Sequence, residues 1–373
     1  MLAVCWVAAF VCLPCPSTGS AAAQQSIRIA AIFAFSGPAA AADVSSLQGV
    51  HWAVSEINAA GGVLGRPLEL IELDNRSTPI GAKVAAEQAA ASFATAIIGP
   101  GFSSQALAVA RVAQAKSIPM ISNTATHPKL TRIGNYIFRV CFSDDQQARV
   151  MSRFAYETLN HRKVLTMVNI SSDYSLGLVK NFEEAFLQQG GIILARITYK
   201  ARQSNFRDLV KQAKNADPDA VFIGGHGESA RIILEAEHYG LDAVPLGGDG
   251  WDNLNFYNLG GNKIKHGYYT TNWHEAVDTA PSKKFVARYR KDDILLAPTA
   301  LSYDAVKLLA KSIERAGSTK RSAIRDALAD TRQFKGVTGT LSFNKHGDPI
   351  KTIIIMRISD GRAYFLKQVK PRP

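Results

Sequence analysis

Short apolar runs alternate with longer amphipathic stretches along most of this 373-residue chain. Apolar runs bounded by turn signals predict buried strands, and apolar positions three and four apart predict helices. The first part reads as strands over 27–35, 68–73, 97–98, 118–121 and 136–140, with helices over 46–59, 80–93 and 105–116. The pattern then restarts. Helices over 146–159, 175–189, 205–215 and 229–239 alternate with strands over 164–169, 192–199, 220–224 and 244–247. Such alternation implies parallel sheets covered by helices on both faces, and two runs of it imply two doubly wound domains. The remainder is less regular. It reads as a strand over 268–272, helices over 282–289, 300–316 and 322–329, and closing strands over 339–343, 351–359 and 363–369. The last two strands flank Asp360 and Gly361 and predict a hairpin.

The stretch 97–130 carries the most suggestive chemistry. Ile97 and Ile98 end a strand, Gly99, Pro100 and Gly101 make a turn, and Ser103 and Ser104 fall where a helix N-cap belongs. The next strand runs into Ser122, Asn123, Thr124, Ala125 and Thr126. Two hydroxyl-rich loops thus follow two neighbouring strands, and one of them opens a helix. The unpaired N–H groups and partial positive charge of a helix N-terminus suit a small anion such as a carboxylate. The plainer reading is that Ser104 only caps its helix and Thr126 only closes a turn. Asp249 follows the strand over 244–247, inside Gly-Gly-Asp-Gly-Trp-Asp, where Asp-Gly is also an ordinary turn signal. Ligands of open α/β sheets bind beyond the carboxyl ends of the strands, which is where all these residues fall.

Four segments, in this order, resemble one family. They are Phe35 with Ser36, Gly37 and Pro38; the run INAAGGVLG at 57–65; the stretch 97–130; and GGDGW at 247–251. Together they resemble the periplasmic binding proteins for branched-chain amino acids, the leucine/isoleucine/valine receptors of ABC transporters. The resemblance covers nearly all of the chain after the first two dozen residues. It implies the type I periplasmic binding fold: α/β, with two doubly wound parallel-sheet domains joined by a three-strand hinge. The implied lobes are 24–140 plus 271–343 and 141–270 plus 344–373. The crossings fall near Val140 and Cys141, near 268–271 and near 343–349. The implied function is capture of an amino acid, branched-chain or with a bulkier or aromatic side chain, or of a related small carboxylate. Hinge closure around the ligand would then be followed by delivery to the membrane permease of an ABC importer.

The resemblance also implies roles for particular residues. Ser104, or Ser103 in the neighbouring register, and Thr126 would hold the α-carboxylate, together with backbone N–H groups. The carbonyl of Thr124 would accept from the ammonium group, and Asp249 would pair with it, as desolvating an ammonium requires. Tyr174 would lie against the ligand. Trp251 would either wall the side-chain pocket or simply pack. Two positions depart from the family pattern. His226 stands where a Tyr is frequent; it keeps a planar ring with a hydrogen-bonding tip but titrates near neutrality. Ala42 stands where a large aromatic often lines the side-chain pocket, so a wall is removed and a bulkier side chain is expected.

Composition narrows the alternatives. Apolar residues make up 47% and charged residues 20%, as in soluble globular proteins. The net charge is +12, but Lys and Arg are scattered, with no aromatic-interleaved basic run, so nucleic acid is not an expected partner. An apolar run over 2–13, followed by small residues up to Ala23, predicts a signal peptide over 1–23 and a periplasmic mature protein. No Lys or Arg precedes that run, and no lipobox surrounds Cys12 or Cys15. Of the four cysteines, only Cys141 would remain after cleavage, which leaves no internal disulfide. No dinucleotide fingerprint, Walker loop, nucleophile elbow or metal-binding helix occurs, so neither cofactor, metal nor catalysis is expected. A monomer is expected. The alternative function is a ligand sensor that acts on a separate signalling partner.

Overall fold

The computed structural model describes Ala3, residues 25–289 and residues 295–370. The expected signal peptide therefore lies outside the described residues, apart from Ala3. The first layer comprises β1 (Ile27–Phe33), α1 (Ala40–Ala59), β2 (Leu68–Asp74), α2 (Pro79–Ala91), β3 (Ala96–Ile98), α3 (Ser103–Ala115), β4 (Met120–Ser122) and β5 (Ile137–Arg139). These strands form an all-parallel sheet in the order β2-β1-β3-β4-β5. Strand β1 is buried along its length except at Arg28, and its other six residues are all apolar, because helices cover both faces of a parallel sheet.

The second layer begins with α4 (Asp144–Arg153), which runs on through a π-helical turn at Phe154–Thr158. There follow β6 (Lys163–Asn169), α5 (Asp173–Gln188), β7 (Ile192–Tyr199), α6 (Arg207–Asn215), β8 (Ala220–Ile223), α7 (Glu228–His238), β9 (Val244–Gly247), α8 (Leu254–Asn258) and β10 (His266–Thr271). The chain next supplies α9 (Ala280–Tyr289), α10 (Ala297–Ala316), α11 (Arg321–Ala329) and the small ribbon β11 (Phe334–Gly336) and β12 (Gly339–Leu341). It closes with β13 (Ile353–Ser359) and β14 (Arg362–Val369). The second sheet runs β14-β13-β10-β9-β8-β6-β7, parallel except where β13 opposes β10 and β14. The turn between β13 and β14 places both Asp360 (φ 49°) and Gly361 (φ 74°) in the left-handed region, as a tight hairpin requires.

Helix α10 returns to the first layer and packs against α1. The two backbones meet at Gly49, where a Cβ would lie 2.1 Å from the carbonyl oxygen of Thr299, so only glycine fits. Three chain segments run between the layers side by side. Arg139 is fully buried and donates from Nε to Asp348 Oδ1 at 2.7 Å. Lys351 Nζ donates to the Val140 carbonyl at 3.0 Å, and Asn272 Oδ1 accepts from the N–H of Phe142 at 3.0 Å. Phe343 and Pro349 form an isolated bridge. These bonds tie the segments after β5, after β10 and before β13 into one strap. Cys141 lies in it, free and buried, and burial pushes its thiol up to about 12, which makes it unreactive. Among the described residues no helix is long and apolar enough to cross a membrane.

Two boundaries differ from the sequence expectation in ways that matter for the site. Helix α1 begins at Ala40 rather than at 46, so Ala42 and Asp43 stand on its first turn. Helix α3 begins at Ser103, and Phe102 rather than a serine occupies the N-cap without a side-chain capping bond.

Candidate functional site

A cavity of about 530 Å³, mouth included, lies between the carboxyl ends of the two sheets. The first layer contributes Asp43 and Ser46 of α1, the loop Gly101–Phe102, Ser103 and Thr124. The second layer contributes Tyr174, His226, Asp249, Gly250, Asp252 and Asn253. Thr271 and Asn272 close the strap side, and the first turns of α10 close the remainder with Ala297, Pro298 and Leu301.

The first wall offers donors. Ser103 opens α3, and its Oγ accepts from the N–H of His127 at 3.3 Å, which leaves the hydroxyl proton free to donate. The N-terminal N–H groups of the 13-residue helix α3 open toward the same place. The second wall is built around Asp249, which follows β9 and starts a short 3-10 turn. Its Oδ1 accepts from Gln147 Nε2 at 2.9 Å and from the Tyr174 hydroxyl at 3.1 Å. The Tyr174 oxygen in turn accepts from the N–H of Gly250 at 2.9 Å. Gln147 also accepts, through Oε1, from the N–H of Asp249 and the hydroxyl of Thr270. One amide side chain thus fixes both the backbone and the carboxylate of Asp249. Burial pushes the Asp249 carboxyl up to about 7, against the lowering effect of Gln147 and Tyr174 and with Asp252 raising it further.

His226 lies between Phe102 of the first wall, with centroids 4.8 Å apart, and Tyr174 of the second, at 4.5 Å. Burial lowers its pKa while Glu228 acts in the opposite sense, so the ring is neutral at pH 7. Three aromatic rings therefore bridge the mouth. A second contact between the layers is the N–H of Asp173, which donates to Ser104 Oγ at 3.2 Å.

Of the residues singled out in the sequence, Ser103, Thr124, Tyr174, His226 and Asp249 line this one cavity, as does Ala42. Ser104, Thr126 and Trp251 do not. Ser104 is one helical step from Ser103 and turns about 100° away, into an outer crevice shared with His127 and Asp173. Thr126 is fully buried behind the wall, where its carbonyl accepts from the N–H of Asp144 at 2.9 Å. Trp251 is fully buried too. It stacks on Phe256 at 5.4 Å, tilts against Tyr269 at 6.1 Å and covers Gly247. It packs in the core of the second layer. Sequence reading missed Asp43, Phe102, Gln147 and the α10 turn. For Gln147 the signal was its place in the first turn of the helix after β5, which faces the same strand ends as Asp249.

Among the described residues no cluster of His, Cys, Asp and Glu is arranged to hold a metal ion. The chain matches the periplasmic binding protein family over residues 26–363. A Leu/Ile/Val-binding protein homolog from Brucella melitensis is 31% identical over 356 residues, spanning 93% of this chain and 95% of that one. A leucine binding protein, LivK, from Thermotoga maritima superposes with a TM-score of 0.89 at 32% identity, covering 92% of this chain and 99% of its own. The branched-chain amino acid transporter substrate binding protein LivJ from Streptococcus pneumoniae, in complex with isoleucine, gives 0.86 at 31% identity, covering 93% and 100%.

Proposed function

The chain belongs to the periplasmic binding protein family, and on that premise we propose that it is the extracytoplasmic solute receptor of an ABC importer for an amino acid. The ligand lies between the two lobes, taken as 24–140 plus 271–343 and 141–270 plus 344–373. Its carboxylate rests at the start of α3, against Ser103 and the N–H groups of Gly101–Phe102. Its ammonium faces Asp249, with the Thr124 carbonyl as a further acceptor. The observation that carries this reading is a donor-rich helix N-terminus on one wall of a cavity whose opposite wall holds a half-buried carboxylate with a free oxygen. That polarity matches a zwitterion.

The mechanism is a population shift. A ligand that bonds to both walls binds the closed arrangement more tightly than the open one, and the difference in affinity drives closure. The Phe102–His226–Tyr174 rings and the Asp173–Ser104 bond then seal the mouth. As a receptor of this kind, the chain carries its ligand unchanged. The relatives named as transporter binding proteins support a membrane permease as the partner and the periplasm as the compartment, with residues 1–23 removed on export.

A thermal-shift screen of the chain from Gln24 onward against the common L-amino acids tests the proposal. A ligand at a hundred times its Kd adds about 2.7 kcal/mol. Stabilisation by at least one amino acid, abolished by Asp249→Ala, is expected. No stabilisation by any of them would refute the reading.

A further inference from the structure

One side chain holds the loop that carries Thr124 into the cavity. Arg139, the last residue of β5, is fully buried and is not among the residues that line the cavity. Its Nη1 donates to two carbonyls of that loop, Ala125 and His127, each at 3.1 Å. Between them the carbonyl of Thr126 accepts from the N–H of Asp144 at 2.9 Å. The carbonyls of 125, 126 and 127 are thus all engaged. Among the described residues nothing donates to the carbonyl of Thr124, the one residue of this run that lines the cavity. Fixing three successive peptide planes fixes the fourth, because each plane leaves only two soft dihedrals at the residue between them.

The other side of the guanidinium faces the strap. Its Nε donates to Asp348 Oδ1 at 2.7 Å and its Nη2 to the Thr131 hydroxyl oxygen at 3.3 Å. The Thr131 hydroxyl donates in turn to Asp348 Oδ1 at 2.7 Å. Asp348 itself is held in a tight turn before β13. Its N–H donates to Asn344 Oδ1 at 3.1 Å, and its carbonyl accepts from the N–H of Asn344 at 2.9 Å. The backbone N–H of Arg139 meets the same turn at the Gly347 carbonyl, at 3.3 Å. One planar fork therefore joins the ligand loop to the segment that crosses between the layers, a geometry that a lysine cannot reproduce. An apolar side chain would avoid desolvating two ions, but it would leave the Ala125 and His127 carbonyls without these donors.

We propose that Arg139 is a positioning residue for ligand capture: it sets the loop over 124–127 so that the Thr124 carbonyl is presented to the ligand's ammonium, and it takes its own bearing from Asp348. This rests on the amino-acid reading of the cavity and adds how one of its ammonium acceptors is placed. Under the lobe division taken above, Arg139 belongs to the first lobe and Asp348 to the second. The acceptor is therefore aligned from the segment about which the lobes turn. Arg139 acts through the loop alone and does not touch the ligand.

The test is calorimetry at pH 7.5 on the chain from Gln24 onward, as wild type, Arg139→Lys and Asp348→Asn. The probes are L-leucine, L-phenylalanine and L-lysine, each beside its α-deaminated acid: 4-methylpentanoate, 3-phenylpropanoate and 6-aminohexanoate. Urea unfolding first shows which variants fold. The readout is the ratio of amino-acid to acid affinity for the pair that the wild type binds most tightly, because the Thr124 carbonyl meets only the ammonium. Arg139→Lys keeps the charge but cannot bridge both carbonyls, and it should lower that ratio about tenfold, as loss of one charge-assisted bond implies. Asp348→Asn should lower it by a smaller factor, and it decides the matter if Arg139→Lys does not fold. A folded variant that loses stability, or loses affinity for acid and amino acid alike, while keeping the wild-type ratio would make Arg139 merely structural. That result would overturn the inference and leave the receptor reading standing. If the wild type binds acid and amino acid equally, or binds no probe of the panel, both fall.

Discussion

Replacing Asp249 with Asn should make the ligand-free protein more stable and the receptor useless. Burial lifts the Asp249 carboxyl from 3.8 to about 7. A group whose folded pKa is raised holds its proton in the native state between about pH 4 and 7, while the unfolded chain has already released it. Stability therefore falls as pH rises through that window, and the full penalty is present above pH 7. At about 1.4 kcal/mol per unit, a shift of this size corresponds to roughly 4 kcal/mol as an upper bound. Because water in the cavity reaches one carboxylate oxygen, we expect roughly 1–3 kcal/mol in practice. Asn cannot ionise, and its Oδ1 still accepts from Gln147 and Tyr174, so the local hydrogen bonds survive. Thermal unfolding at pH 8 should show Asp249→Asn melting several degrees above the wild type, with the gap closing at pH 4. Calorimetry at pH 8 should show affinity reduced by about 1.5–3 kcal/mol, or ten- to a hundredfold. A variant that is less stable at pH 8, or that keeps its affinity, would refute the argument that this carboxylate is held buried for a cation.

Three further substitutions separate positioning, closure and packing. Gln147→Leu removes the amide that holds Asp249 and should lower affinity about tenfold, while Gln147→Glu should do so more severely by adding a like charge; titration calorimetry reads both. Ser104→Ala removes a bond made between the two layers, so it should raise the dissociation rate by a few-fold with the ligand preference unchanged, as stopped-flow fluorescence would show. Trp251→Phe should cost about 1–3 kcal/mol in urea unfolding through lost packing on Phe256 and Tyr269. Its ligand affinity should stay within about twofold, and a large loss of affinity would return Trp251 to the binding surface.

The layered architecture was legible because parallel strands covered on both faces are mostly apolar, as β8 is throughout and β1 is apart from the half-buried Arg28. The hairpin at Asp360 and Gly361 was legible because few residue pairs accept positive φ at two consecutive positions. The start of α1 was not. Residues 39–42 are all alanine, which favours a helix but offers no apolar periodicity, and so Asp43 was passed over. The serine pair shows a different limit. Adjacency in sequence says nothing about which face of a helix each residue occupies, and the one-residue register at Phe102 decides which serine meets the cavity. Trp251 lies two residues after Asp249 on the same 3-10 turn, yet Asp249 lines the cavity while Trp251 is buried in the core.

The most direct test of the central claim is titration calorimetry of the chain from Gln24 onward with L-lysine, with its decarboxylated amine cadaverine and with its α-deaminated acid 6-aminohexanoate, alongside leucine with isoamylamine and 4-methylpentanoate. Binding of an intact amino acid, with loss of at least about tenfold affinity on removing either its carboxylate or its α-ammonium, is the expected result. Equal binding of an amino acid and its deaminated acid would contradict the role given to Asp249. Equal binding of an amino acid and its amine would contradict the carboxylate seat at the start of α3.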